Sequence, residues 1–215
     1  MSSILQSTID TPIGTLRLFA DGEALVAIHF PGGAPLHEAA APAAPDHPVL
    51  SRARRQLAEY FAGERTHFDL PLRSRGTPFQ QRVWAALSRI PYGQTRSYAE
   101  VAAAVEHPRA VRAVGAANGR NPLPIVVPCH RVIGSDGTLT GFGGGIATKA
   151  WLLQHERAAF AAFASSVGVQ GATPTSSPSA PHDPLPREGY AVGRLPAEHG
   201  PCIEDTSAHE PSRSS

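Results

Sequence analysis

The stretch from Ile125 to Gly134 constrains this chain most, because it sets one of only two cysteines, Cys129, among β-branched apolar residues and between a proline and a histidine. Unpaired cysteine is among the most frequently buried residue types, so a structural core residue is the first interpretation. His130 and Arg131 follow directly, however, and neighbouring cations lower the pKa of a thiol from about 8.5 and raise its thiolate fraction. The pattern therefore favours a nucleophilic cysteine.

Composition sets the broad class of protein. At 215 residues and 41% hydrophobic content, the chain has room for one large domain or two small ones around a packed core. No apolar run approaches the ~18 residues of a membrane span, and the N-terminus lacks the basic and apolar segments of a signal peptide. With only two cysteines, Cys129 and Cys202, a disulfide framework is not expected. These features predict a cytoplasmic protein with no membrane anchor.

Charge is distributed unevenly, although the formal net charge is only +1. Residues 75–157 contain 10 Lys and Arg against 4 Asp and Glu, a balance of +6, whereas residues 158–215 contain 3 against 6, a balance of −3. A basic segment suits contacts with phosphate groups, but a solvated charged face explains the same balance equally well. Charge alone therefore leaves nucleic-acid binding open.

The first 75 residues have the pattern of a small α/β domain. Alternating apolar residues at 7–30, with the turn signal Asp21-Gly22, predict a β-hairpin that opens a small sheet. A helix is predicted from Pro48, with Gly63 as its stop and an apolar stripe formed by Leu50, Ala53, Leu57, Tyr60 and Phe61. Alternation at residues 68–72 predicts one further strand, and the segment 73–76 marks a domain boundary.

Residues 76–160 carry stronger helix signals. Thr77-Pro78-Phe79-Gln80 and Ser97-Tyr98-Ala99-Glu100 are both capping-box sequences, so a helix is predicted after each. A further helix is predicted at residues 109–118, and with the short helix before it forms a helix-turn-helix, a motif that is often only structural. Half of its residues are alanine or glycine, so the surface permits close approach of either a nucleic-acid groove or another helix.

A glycine-rich loop at residues 141–145 follows the cysteine motif, and a last helix is predicted from Thr148 to about Phe160. The loop lacks the Lys-Ser/Thr pair of a phosphate-binding loop, but its glycines let backbone N–H groups approach a flat ligand. Composition then changes, since 22 of the 51 residues at 165–215 are Gly, Pro or Ser. We predict a disordered tail at residues 161–215, with Cys202 as a free surface thiol.

Pro128-Cys129-His130-Arg131-Val132, preceded by Asn121-Pro122-Leu123-Pro124, resembles the active-site signature of the O6-alkylguanine-DNA alkyltransferases, or methylated-DNA–protein-cysteine methyltransferases. The resemblance extends from about residue 8 to residue 156 and is densest from residue 77. It implies an α/β protein with an N-terminal ribonuclease H-like α/β domain at residues 1–75. A mainly helical, winged-helix-like DNA-binding catalytic domain follows at residues 76–160, and in this family the second helix of its helix-turn-helix lies in the minor groove.

The same resemblance implies direct-reversal repair of O6-alkylguanine in double-stranded DNA, with O4-methylthymine as a further candidate substrate. The target base is flipped out of the stack, and its alkyl group moves to Cys129 in a single, irreversible turnover. No cofactor is expected. No metal is expected either, because the N-terminal part lacks the cysteines that bind structural zinc in some relatives. We expect the protein to act as a monomer.

Catalytic roles are carried over from the family residue by residue. Cys129 is activated through a water molecule by His130, which Glu156 orients. Neighbours in an extended segment point to opposite sides, which agrees with an indirect link between thiol and imidazole. Asn121 matches the asparagine that braces the active-site turn. Tyr98 matches the tyrosine that rotates the phosphate of the nucleotide and hydrogen-bonds the guanine.

The remaining site residues concern guanine and DNA. Arg112 matches the arginine that enters the stack where the base has left, and Lys149 matches a lysine of the last helix. Phe142 stands where the family commonly has tyrosine, so stacking is retained but a hydroxyl is missing. Further contacts with guanine or DNA are expected from the backbones of Cys129, Val132 and Gly143 and from Arg131.

Two other functions are weighed against this one. An alkyltransferase-like sensor binds lesions without reacting, but that class has lost the cysteine that this chain retains. A cysteine–histidine hydrolase needs direct contact between thiol and imidazole, which adjacency in an extended segment disfavours. Turnover of a small ester would favour the hydrolase, and stoichiometric loss of activity would exclude it.

Overall fold

The computed structural model describes residues 3–32 and 41–166. The predicted tail and Cys202 lie outside the described residues. Within the described part, three strands and one helix precede residue 76, and four helices, a 3-10 turn and two very short strands follow it. No helix in this part of the chain is long and apolar enough to cross a membrane. The chain therefore has a small N-terminal sheet domain followed by a helical domain.

The N-terminal sheet is an antiparallel meander whose strands are β1 (Leu5–Ile9), β2 (Leu16–Ala20) and β3 (Leu25–His29). The predicted hairpin is confirmed as β2 and β3. Their turn is fixed by Asp21, whose carboxylate accepts the N–H groups of Glu23 and Ala24. The face that alternation predicts is completely buried at Leu16, Leu18 and Ala20.

Helix α1 (Pro48–Phe61) packs against this sheet and has proline in its first turn. Its buried side is formed by Leu50, Ala53, Gln56, Leu57 and Tyr60. The predicted stripe is therefore confirmed, apart from Phe61, which is only half-buried. Gly63 follows with φ of 78°, a left-handed conformation that suits glycine after a helix.

The strand predicted at residues 68–72 does not form. Its only pairing is a single bridge to β3 through Leu72. Pro71 has no N–H to donate, so a continuous ladder cannot run through it. The segment is fixed from the side instead, because the side-chain amide of Gln56 donates to the carbonyl of Asp69 (2.8 Å) and accepts from its N–H (2.9 Å).

The second domain is built from α2 (Pro78–Leu87), β4 (Arg96–Ser97), α3 (Tyr98–Ala104), α4 (Val111–Gly119), β5 (Val132–Ile133) and α5 (Gly145–Ser166). Both predicted capping boxes are present, since Thr77 and Ser97 each accept the N–H of the residue three positions on. Helices α3 and α4 form the predicted helix-turn-helix. The indole N–H of Trp84 on α2 donates to the carbonyl of Ala117 on α4 (2.9 Å), which ties this pair to the core.

Helix α5 is longer than predicted at both ends. It begins three residues before Thr148, because a run of glycines gives no capping signal in the sequence. It also continues past Phe160, since the alanines that follow favour helix. The parallel pair of β4 and β5 places the cysteine segment between α3 and α5.

Candidate active site

Two consecutive tight turns hold Cys129. Pro128, with φ of −81° and ψ of 64°, forms an inverse γ-turn in which the N–H of Cys129 donates to the carbonyl of Val127 (2.8 Å). Residues Cys129–Arg131 then form a 3-10 turn. The prediction that this segment is extended is therefore wrong. Proline restricts φ in a way that suits a turn as well as a strand, and here it makes the turn.

Asn121 braces the loop before the cysteine. Its side-chain amide donates to the carbonyl of Val127 (2.7 Å) and accepts the N–H of Leu123 (3.0 Å). Between these contacts lies Ile125, which is buried and has φ of 74°, a left-handed conformation rare for a β-branched residue. A strained backbone of this kind persists only where its surroundings fix it, and the bonds of Asn121 supply that fixation.

A buried hydrogen-bond network centred on Glu156 lies behind the cysteine. The carboxylate accepts bonds from His130 Nε2, from Arg131 Nε and Nη2 and from the Tyr60 hydroxyl, each 2.8 Å long, and from the Gly93 N–H at 3.0 Å. Burial opposes ionisation of this carboxyl group, but the hydrogen bonds from His130 and Arg131 and the positive charge of Arg131 outweigh burial and hold the pKa of Glu156 well below its ordinary value. The network therefore contains an ionised carboxylate.

His130 is completely buried, and burial lowers the pKa of its imidazole, so the ring is neutral at pH 7. A carboxylate only accepts hydrogen bonds, so Nε2 carries the hydrogen and Nδ1 is left as an acceptor. Among the described residues, Nδ1 has no hydrogen-bond partner. A neutral imidazole with a basic nitrogen beside the cysteine is arranged to take up a proton.

Burial raises the pKa of the Cys129 thiol to about 11, although a hydrogen bond from Asn121 and the positive charge of Lys149 act to lower it. The expectation that positive charges on His130 and Arg131 lower this pKa is wrong, and the one lowering contribution of His130 is a hydrogen bond from its backbone. His130 is neutral, and the guanidinium of Arg131 is paired with a carboxylate. Lys149, twenty residues away in sequence, is the cation that acts on the thiol.

Lys149 is completely buried, and it joins three parts of the site. Its ammonium group donates to the carbonyls of Val132 (2.6 Å) and Thr140 (2.9 Å) and lies 5.8 Å from the centre of the Tyr98 ring. Burial lowers the pKa of Lys149, and the Cys129 thiolate acts in the opposite direction. The cysteine turn, the glycine-rich loop and the start of α3 are therefore held together by one side chain.

A cavity of about 230 Å³ opens at Cys129, with a lining that includes Asn121, Pro124, Gly141, Phe142, Gly143 and residues 28–30 at the end of β3. A second depression of about 520 Å³ is bounded by Tyr98, Val111 and Gly115 and shares with the first Gly119, Gly141, Phe142 and Gly143. The nucleophile, the glycine-rich loop and the outer side of α4 therefore border one groove.

Not every residue predicted for the site faces this groove. Arg112 is exposed on α4, as a DNA contact requires. Val132 is completely buried and lies outside both cavity linings. Arg131, expected to contact guanine or DNA, is only 6% exposed and donates to Glu156 and to the carbonyl of Ile90. We therefore assign Arg131 to the support of the Glu156 carboxylate.

Four residues of the N-terminal domain were not predicted for the site, namely Ile28, His29, Phe30 and Tyr60. The hydroxyl of Tyr60 reaches Glu156, and Phe30 lines the cavity at Cys129. Periodicity marks Tyr60 only as part of a core stripe. Its one further signal is chemical, because a buried tyrosine hydroxyl needs a hydrogen-bond partner.

The fold and the site define a two-domain protein with a buried cysteine, a histidine–glutamate pair and an adjacent helix-turn-helix. Residues 4–74 match the family model described as 6-O-methylguanine DNA methyltransferase, ribonuclease-like domain, and residues 78–158 match the DNA binding domain of the same family. The chain belongs to this family of direct-reversal DNA-repair methyltransferases.

Individual relatives agree with the family match. A methylated-DNA–protein-cysteine methyltransferase of Mycobacterium tuberculosis is 52% identical over 154 residues, which cover 70% of this chain and 90% of that protein. The constitutive Bacillus subtilis enzyme of the same name is 62% identical over 114 residues, 53% of this chain and 69% of that protein. The crystal structure of Mycobacterium tuberculosis OGT in complex with DNA has a TM-score of 0.68 at 50% identity, covering 72% of this chain and 94% of that one.

Proposed function

We propose that Cys129 accepts the alkyl group of O6-alkylguanine in double-stranded DNA, once per molecule and irreversibly. The observation that carries this proposal is the thiol at a cavity of about 230 Å³, beside a neutral histidine paired with a carboxylate. Pockets for drug-sized ligands usually have volumes above about 300 Å³. The cavity at Cys129 is smaller than that, so it suits a flat base with a small substituent. O4-methylthymine, which carries the same oxygen–methyl bond, is the second candidate substrate.

Proton transfer comes first, because burial keeps the resting thiol protonated by raising the pKa of Cys129 to about 11. Nδ1 of His130 takes the proton through a bridging water molecule. The carboxylate of Glu156 stabilises the imidazolium that results. Asn121 and Lys149 stabilise the thiolate directly, by a hydrogen bond and by charge.

Alkyl transfer follows as an in-line displacement. Sulfur attacks the alkyl carbon, and the bond from that carbon to guanine O6 breaks as the sulfur–carbon bond forms. The electron pair passes to the guanine, and Tyr98, which borders the groove, donates the hydrogen bond that assists its departure. The guanine takes up a proton from water as it leaves, and the imidazolium of His130 returns its proton to water. The resulting thioether has no good leaving group, so Cys129 is not regenerated and no cofactor takes part.

DNA is bound through α4 in the minor groove. The exposed side of this helix presents Val111, Arg112, Ala113, Ala116 and Gly119, so it carries one charged side chain among apolar residues and glycine. Arg112 enters the stack as the target base flips out, a step that costs a few kcal/mol of unstacking and unpairing. The flipped guanine stacks on Phe142 and meets backbone groups of Cys129 and Gly143. The protein acts as a monomer in the cytoplasm.

Mass spectrometry after incubation with excess duplex containing O6-methylguanine tests the proposal. One methyl group should be added per protein molecule, on the peptide that contains Cys129. Cys129→Ser should abolish transfer while retaining DNA binding, and Cys202→Ser is the matched control that should react normally. Repair of many lesions per molecule, or a methyl group found mainly on Cys202, contradicts the mechanism.

A further inference from the structure

The N-terminal domain reaches the cavity at Cys129 through the end of β3. His29 and Phe30 line that cavity together with Cys129 and Phe142. The reactive thiol belongs to the second domain, so the walls around the substrate come from both domains. The end of β3 is therefore placed to influence which substrates the cysteine accepts.

Phe30 holds the glycine-rich loop in place. Its ring lies 5.2 Å, centre to centre, from the ring of Phe142, at an interplanar angle of 59°. It also lies against Gly144, where an added Cβ atom would come within 2.9 Å of the ring. Contact this close is possible only because position 144 has no side chain. One aromatic ring of the N-terminal domain thus supports both Phe142 and the backbone beside it.

We propose that Phe30 is a specificity-determining residue that limits the size of the alkyl group transferred to Cys129. The proposal rests on the proposed function and adds to it the substrate class, guanine with a small O6 substituent. Phe142 is the movable part of the wall, since it stands in a loop with glycine on both sides. Phe30 fills the space behind Phe142 and keeps that ring against the cavity.

Removing the Phe30 ring should enlarge the cavity. Phe142 then loses the surface against which it packs, and it can withdraw into the space that the deleted ring leaves. A larger O6 substituent gains room, whereas a methyl group gains no contact. The change should therefore appear in the relative rates of two substrates rather than in the rate with one.

The experiment compares single-turnover rate constants on duplexes that contain O6-methylguanine or O6-benzylguanine, for the full-length protein and for Phe30→Ala. The ratio of the benzyl rate to the methyl rate should rise roughly tenfold or more, because one methylene of space in an apolar pocket is worth about 10-fold to 200-fold. Phe30→Leu should raise the ratio less, and Phe30→Trp should lower it. The ratio does not depend on the fraction of folded protein, because both substrates meet the same preparation.

Phe79→Ala is the matched control. Phe79 is a half-buried phenylalanine on α2 that packs against His107 and lies outside both cavity linings. In Phe79→Ala, the ratio of the benzyl rate to the methyl rate should equal that of the unmodified protein. An unchanged or lower ratio in Phe30→Ala, or an equal rise in Phe79→Ala, overturns the proposal.

If Phe30→Ala does not fold, the Phe30→Leu and Phe30→Trp variants replace it. Shifts of the ratio in opposite directions in these two variants support the proposal, and shifts in the same direction, or none, overturn it. Failure of the unmodified protein to methylate Cys129 would instead contradict the proposed function.

Discussion

The carboxylate of Glu156 accepts hydrogen bonds from four residues that are distant in sequence, namely Tyr60, Gly93, His130 and Arg131. Burial and the negative charge of Glu156 raise the pKa of Tyr60 well above its ordinary value, so its hydroxyl remains a donor. The same carboxylate fixes the tautomer of His130. One side chain therefore sets the protonation of the residues around it.

Replacing Glu156 tests how much its hydrogen-bond network contributes to the free energy of unfolding. Glu156→Gln leaves the Arg131 guanidinium buried without its counter-charge, and breaking a buried pair in this way costs about 3–5 kcal/mol. The measurement is the free energy of unfolding from urea titration. Glu59→Gln is the control, because the partly exposed pair of Glu59 with Arg65 is worth at most about 1 kcal/mol. Equal decreases in the free energy of unfolding of the two variants would show that burial does not strengthen the pair of Glu156 and Arg131.

Stability should depend on pH through His130. Burial lowers the pKa of this imidazole below its ordinary value of 6.5, so below that pH the unfolded chain binds the proton more readily than the folded one. The free energy of unfolding therefore has its full value above about pH 6.5 and falls towards pH 5, by at most about 1.4 kcal/mol per pH unit for one group. Urea titrations between pH 7 and 5 measure this slope.

His130→Gln is the matching variant for the pH experiment, because its amide can still donate to Glu156 but does not titrate. Its slope should be smaller than that of the unmodified protein. Some pH dependence should remain in this variant because burial also lowers the pKa of His29. Identical slopes would mean that His130 titrates in the folded protein as it does in the unfolded chain.

For individual residues, the sequence predicts which side chains take part in the chemistry better than it predicts their pKa values. Cys129, His130, Glu156 and Asn121 were all named from the motif, and the structure brings them into one region. The direction of the thiol pKa was predicted wrongly, because the sequence does not show that Cys129 is buried, and burial is the largest cause of the shift. Lys149 acts on the thiol only because α5 folds back over the cysteine turn.

Among the helices and strands, local signals were reliable where a short motif determines a hydrogen bond. Thr77 and Ser97 begin α2 and α3 because each caps the N–H three residues on, and that bond needs no tertiary partner. Alternation at residues 68–72 predicted a strand wrongly, since pairing requires donors and Pro71 lacks one. The 3-10 turn at Cys129 was missed for a related reason, because an apolar run before a proline fits a strand and a turn alike.

The role of α4 gives a prediction for this helix. Arg112→Ala should slow repair of O6-methylguanine in duplex DNA much more than reaction with free O6-benzylguanine, because only the duplex has a gap in the stack to fill. Arg54→Ala, a change of an exposed arginine on α1, is the control and should affect neither rate. The measurement is the single-turnover rate with each substrate. Equal decreases in rate with both substrates would assign Arg112 to folding or to general electrostatics.

Across the whole molecule, the two domains share one site. The Tyr60 hydroxyl bonds the carboxylate behind His130, and Phe30 packs against the loop that faces Cys129. The N-terminal domain therefore contributes a hydrogen bond and a wall to chemistry performed in the other domain. The sequence could not predict these contacts, because each joins residues about 100 positions apart and neither follows a local pattern.

Removal of the residues after Ser166 should leave repair unchanged. The network around Glu156, the cavity at Cys129 and the exposed side of α4 all lie within the described residues, and the family match ends at residue 158. A chain that ends at Ser166 should thus keep the single-turnover rate and the urea midpoint of the full protein. A chain that ends at Gln154 is the control and should lose both, because it lacks Glu156. A rate about tenfold lower at an unchanged midpoint would instead show that residues 167–215 take part in DNA binding.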